Sequence, residues 1–139
     1  MLFETVADAV KVLEELREKS LEEIAGDTVL LGSVLWYLYV TVQGCIDIAL
    51  KTISKLTLRA PESYGDAFKV LREGELISEE LAKSLIAMAR FRHVLAHVYT
   101  KLDLDLIYDM LHHDIEEVKE FLKTLAANLR ERNIELSEF

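Results

Sequence analysis

The residues best suited to chemistry lie together in Arg90-Phe91-Arg92-His93-Val94-Leu95-Ala96-His97-Val98-Tyr99. This stretch places two Arg, two His and a Tyr within ten residues of an acidic chain. Arginine is always charged and its guanidinium forks onto two phosphate oxygens. Histidine titrates near neutrality and so takes or gives a proton at working pH. RNA carries its own nucleophile, the 2′-OH beside each phosphate. An anion clamp plus a general base would therefore suffice to cut it without a metal. Arg92 and His97 enclose four residues, and Tyr99 follows two later. On an ideal helix, five residues turn about 500°, which points Arg92 and His97 about 140° apart. Either the helix ends near Ala96, or the long arginine reaches round, or two chains build the site together. Outside a catalytic role, His97 would be a satisfied core histidine and Arg92 a surface ion-pair partner.

A metal offers a second chemistry. His93 and His97 are at i and i+4, as a zinc pair would be, but no Glu follows His93, so the metalloprotease pattern is absent. A third ligand would have to come from His112, His113 or a distant acid. His112-His113 by itself reads as a solvated helix end, where cations suit the dipole. The expectation is a site without metal or cofactor.

The elements that must position these residues are helical. The chain has 139 residues, 51% of them apolar and 29% charged, which fits one domain with a packed core and argues against disorder. Nothing alternates with period two over a useful length. Phe3, Val6, Val10, Leu13 and Leu16 recur at helical spacing and predict a first helix running to about Ile24. Asp27 is a candidate N-cap for a second helix reaching about Leu56. Thr57 to Gly65 holds the single proline, Pro61, and reads as a loop. Asp66 to Glu73 reads as a short helix ended by Gly74. Ser78, followed by Glu79 and Glu80, starts a helix that would carry the Arg–His stretch to Tyr99. Thr100 to Asp103 is a turn candidate. A last helical region spans about Asp105 to Arg130, with Asp114 expected to cap a fresh start after His112-His113. The fold class expected is all-α, an up-and-down bundle of four to five main helices in a single domain, 1–139.

Charge and composition narrow the partners. Lys plus Arg is 16 and Asp plus Glu is 25, a net charge of −9, so overall charge does not hold this chain to nucleic acid and a local patch must do so. The single cysteine, Cys45, lies in an apolar run and reads as a buried thiol in a reducing, cytoplasmic compartment. The opening residues lack the basic start and apolar stretch of a signal peptide. Thr28 to Ile46 has no formally charged residue and approaches the ~20 residues a bilayer needs. Gly32, Ser33, Gln43 and Gly44 interrupt it and both brackets, Asp27 and Asp47, are acidic, so the centre of a bundle is the better reading.

The stretch from Phe91 to Tyr99, with Asp103 four residues on, resembles the HepT-like toxins of the HEPN superfamily. Their signature is Arg, four residues, His, one residue, Tyr. Gln43-Gly44-Cys45-Ile46-Asp47 is similar to the family's Gln-x-x-Ile-Asp segment. Pro61-Glu62-Ser63-Tyr64-Gly65-Asp66-Ala67-Phe68 is similar to its proline loop and short helix. Asp103 with Ile107-Tyr108 resembles the segment after the motif. The resemblance covers most of the chain. It implies a helical bundle that dimerises with the motifs of both chains near the interface. It implies a metal-independent endoribonuclease toxin in which Arg92 binds phosphate and His97 is the base or acid. It also implies a cognate minimal nucleotidyltransferase antitoxin that transfers AMP to Tyr99. His93 stands where the family usually has Asn, so it would support Arg92, compete for its partners or act as a second proton-transfer group, and Asp103 is a further supporting candidate. On their own helix, Gln43 and Asp47 read as buried structural polar groups. A non-catalytic helical module that docks a nucleotidyltransferase is the competing function; its binding would be indifferent to His97.

Overall fold

The computed structural model describes residues 1–96 and 103–139. Among them every regular element is helical. The order is α1 (Leu2–Leu16), α2 (Leu21–Gly26), α3 (Thr28–Lys55), α4 (Tyr64–Glu73), α5 (Glu79–Ala89), α6 (Phe91–Ala96), α7 (Leu104–Asp109), a π-turn (Met110–Asp114) and α8 (Ile115–Glu131). A 3-10 turn, Leu136–Glu138, follows.

The long α3 is the axis of the bundle. α1, α2, α4, α5 and α6 all pack against it, and α8 closes the far side against α1 and α5. The apolar stretch that is long enough to cross a membrane is this helix. Its apolarity serves the core: Val34, Leu38, Val42, Cys45, Ile46, Ile48, Ala49 and Ile53 are buried. Burial pushes the Cys45 thiol well above its ordinary range, which makes it inert. Phe68 of α4 meets Phe121 of α8 edge-on, with ring centroids 5.7 Å apart. α1 lies tight against α3 at Gly44, where an added methyl would overlap Val6. Arg17 to Glu116 (2.9 Å) and Lys119 to Glu14 (3.2 Å) bridge α1 and α8 on the outside.

Asp27 caps α3 as the sequence predicts, accepting from the N–H groups of Val29 and Leu30. Elsewhere the boundaries differ from the sequence reading for identifiable local reasons. The first helix does not run on to Ile24. It stops at Leu16, and Ser20 starts α2 through a reciprocal capping box with Glu23. α4, by contrast, closes at Gly74 as the sequence predicts. Gly74 sits at φ −80°, and Glu75 takes the positive φ of 60°. There the N–H of Leu76 bonds to the Leu71 carbonyl and that of Glu75 to Arg72, a Schellman ending. Thr57 and Asn133 end α3 and α8 in the same manner, at φ 53° and 59°.

The expected helix from Ser78 through the motif is divided at Arg90, whose N–H bonds to Ala87, three residues back instead of four. The last region is not restarted at Asp114, whose side chain makes no cap and whose backbone is helical. His112 and His113 lie in a π-turn inside a continuing helix, not at a solvated end. The His112 ring lies 4.2 Å from that of Tyr108, and its Nε2 is buried with no hydrogen-bond partner among the described residues. Desolvation, helped by Glu117 and Asp109 and opposed by His113, pushes the Asp114 carboxyl up to about 6.

Candidate active site

Arg92 stands in the first turn of α6, which packs on α3 and α5. Two side chains fix its guanidinium. Its Nε donates to Gln43 Oε1 on α3, and its Cζ lies 5.0 Å above the ring of Tyr64 at the start of α4. Gln43 in turn donates from Nε2 to Asp47 Oδ1, 2.9 Å away and one turn along α3. Two elements remote in sequence, α3 and α4, therefore converge on one arginine. Among the described residues nothing else bonds to the two terminal nitrogens, the pair that forks onto phosphate. The segment read in isolation as structural, Gln43 and Asp47, is thus a bracket for the site. Its signal in the sequence was a Gln and an Asp four residues apart on an otherwise apolar helix.

Tyr64 is held by the loop before it. Ser63 caps α4 by accepting from the Asp66 N–H at 3.1 Å. Arg59 forks onto both Asp66 (2.8 and 3.0 Å) and Glu73 (2.8 and 3.0 Å), and the Glu62 N–H adds a bond to Asp66 at 2.9 Å. The Arg59 guanidinium holds both carboxyls below their usual range. The loop from Thr57 to Ser63 is in this way clasped to α4, and Tyr64 keeps its place under Arg92. Tyr64 and Arg59 are site-supporting residues that the sequence reading did not single out.

Two of the sequence-predicted site residues, His97 and Tyr99, lie outside the described residues, as does most of the turn from Thr100 to Asp103. His93 is on α6, exposed, beside Arg92. Asp103 is the N-cap of α7, accepting from the Leu106 N–H at 3.1 Å, a positional role at the end of the motif segment. Among the described residues no three His, Cys, Asp or Glu side chains gather to hold a metal ion.

Comparison with known proteins gives the family. The sequence matches the family described as Ribonuclease HepT-like over residues 6–125. It is 31% identical over 101 residues to the mRNA nuclease HepT of Shewanella oneidensis, covering 73% of this chain and 76% of that protein. A putative RNase of Archaeoglobus fulgidus is 28% identical over 119 residues, covering 86% of this chain and 83% of the other. Among solved structures, a tri-AMPylated Shewanella oneidensis HEPN toxin in complex with an MNT antitoxin superposes with a TM-score of 0.68 at 25% identity, over 88% of this chain and 97% of that one. A toxin–antitoxin structure with AMP-PNP superposes with a TM-score of 0.80 at 24% identity, over 91% and 94% of the two chains, and supports the fold. With its helical bundle, its family match and its Arg–His–Tyr segment, the chain belongs to the HepT-like ribonuclease family.

Proposed function

We propose that this protein is a metal-independent endoribonuclease toxin whose activity is silenced by AMP transfer to Tyr99 from a cognate minimal nucleotidyltransferase. The observation that carries the reading is the guanidinium of Arg92, held by Gln43 and Tyr64 five residues before His97. Arg92 grips the scissile phosphate and stabilises the charge that builds on it. His97 removes the proton from the 2′-OH and, in its protonated form, returns one to the leaving oxygen. AMP on Tyr99 would add bulk and negative charge near Arg92 and compete with the RNA phosphate. The modification of the Shewanella toxin, and its complex with an antitoxin, support the same arrangement here.

The test is cleavage of mixed tRNA and mRNA in EDTA by protein whose intact mass shows no adduct. Cutting that survives the chelator is expected. Unmodified protein that leaves all RNA whole would remove the catalytic reading in favour of a binding module.

The proposal includes a homodimer. Val29, Ser33, Trp36 and Val40 fall on one line of α3 at alternating spacings of four and three, and the line continues to Gln43 and Asp47. Val29 is 80% exposed and Trp36 59%, with Trp36 stacked on Tyr39. Pairing two copies along this stripe would cover the apolar residues and bring the two Gln43–Arg92 brackets toward each other. Light scattering should give twice the chain mass, falling to the single mass for Trp36→Glu. A wild-type monomer at tens of micromolar would rule the pairing out.

A further inference from the structure

Beside the Arg92 bracket is a cleft that the catalytic reading leaves unused. It has a volume of about 430 Å³ and lies between α4 and α5, lined by Ser63, Gly65, Asp66, Lys69, Ile86, Ala89 and Arg90. That is within the range of about 300–1,000 Å³ typical of small-ligand sites. The cleft adjoins the proposed active site at Tyr64. The neighbours of Tyr64 on both sides line the cleft, while its own ring carries Arg92.

The charge in the cleft is unusual for this chain. Lys69 and Arg90 are both exposed, and neither forms an ion pair with a described residue. The one acid in the lining, Asp66, is already satisfied. Its Oδ1 accepts from Arg59, and its Oδ2 accepts from Arg59 and the Glu62 N–H. Glu73, the next acid along α4, is likewise engaged by Arg59. Arg59 thus engages both carboxylates by hydrogen bonds, while Lys69 acts on them only at longer range. In a protein of net charge −9, this places two cations that form no ion pair with a described residue over an apolar floor of Ile86 and Ala89.

We propose that this cleft is a second RNA subsite. Lys69 and Arg90 hold the phosphate of a nucleotide flanking the one cut at Arg92, and that nucleotide's base packs against Ile86 and Ala89. The inference rests on the ribonuclease reading for its ligand, and it explains how so acidic a chain grips a polyanion. One phosphate at Arg92 alone is a weak hold. A second contact fixes the strand's direction and aligns the 2′-OH for attack.

The experiment is fluorescence anisotropy with a labelled single-stranded 2′-O-methyl oligonucleotide, which binds but lacks the nucleophile. The wild type is compared with Lys69→Ala/Arg90→Ala and with Lys11→Ala/Lys123→Ala, which removes equal charge from α1 and α8. The cleft variant should lose about tenfold or more in affinity. Its plot of log affinity against log salt should flatten by about 0.7, the contribution of one neutralised phosphate on a single strand. The control pair should match the wild type. Equal losses in both variants would reduce the effect to net charge and overturn the subsite. An unchanged cleft variant would do the same, as would a wild type that does not bind the oligonucleotide. Wild-type protein that binds through the cleft yet cuts no unmethylated RNA would leave the subsite standing and remove only the ribonuclease reading.

Discussion

His97→Ala is expected to slow RNA cleavage by about 10²–10⁴-fold, the usual cost of removing a positioned general acid or base. Arg92→Ala should cost about 10²–10³-fold, comparable to deleting a donor that stabilises developing charge. The two losses should differ in kind. Without His97 the RNA still binds, and kcat falls. Without Arg92, the affinity for single-stranded RNA falls too. Arg92→Lys should rescue little, because lysine has neither the Nε donor that meets Gln43 nor the planar fork for two phosphate oxygens. Gln43→Leu keeps the charge and removes its anchor, so its rate should lie between those of the wild type and Arg92→Ala. The readout is single-turnover cleavage of a labelled RNA in EDTA, with melting temperature recorded for each variant. Wild-type rates for a clean, folded His97→Ala preparation would rule out its role as proton carrier. Wild-type rates for Arg92→Ala would rule out the clamp.

The second large effect is on stability. Gly44→Ala should destabilise the fold by about 1–3 kcal/mol, the range for forcing an extra carbon into a filled core. The new Cβ would overlap Cγ2 of Val6, which is fully buried on α1. Val6 is β-branched and stiff at χ1, so it has no ready rotamer to yield. The helices must then separate. Adding Val6→Ala should return part of the loss, since the two changes share one contact and cannot add independently. Urea unfolding of the two single variants and the double variant measures this coupling. A Gly44→Ala protein with an unchanged midpoint would show that α1 and α3 have slack. Gly44 follows Gln43, so a shift of α3 there would also move the residue that holds Arg92.

The large elements were legible because their causes are local. Asp27 and Ser78 each accept N–H bonds in the first turn of the helix they precede, and the expectation of an all-helical bundle holds. What escaped the sequence reading depends on geometry that residue types do not announce. Glu75 and not Gly74 takes the left-handed turn because the Schellman bond from Leu76 to Leu71 sets the register, whatever the side chain. The capping box at Ser20 and Glu23 was readable, but the apolar spacing through Leu16 masked it. The π-turn is one residue of slippage within an otherwise regular period, invisible to a pattern of apolar positions. At the site, residue types and the family resemblance singled out the Arg–His–Tyr segment. The Gln43 bracket and the Tyr64 ring were not evident, because both arrive by tertiary packing from helices 49 and 28 residues upstream of Arg92 in the sequence.

The bond between Gln43 and Arg92 also sets how much charge the site presents. An acid in that position would hold the arginine equally well but cancel it, so that an incoming anion would meet a finished ion pair and have to displace it. The amide is neutral. It passes its own donor to Asp47 and so keeps that carboxylate one side chain removed from the guanidinium. Arg92 is thereby oriented without being discharged, and its whole unit of charge is available to the next anion that arrives.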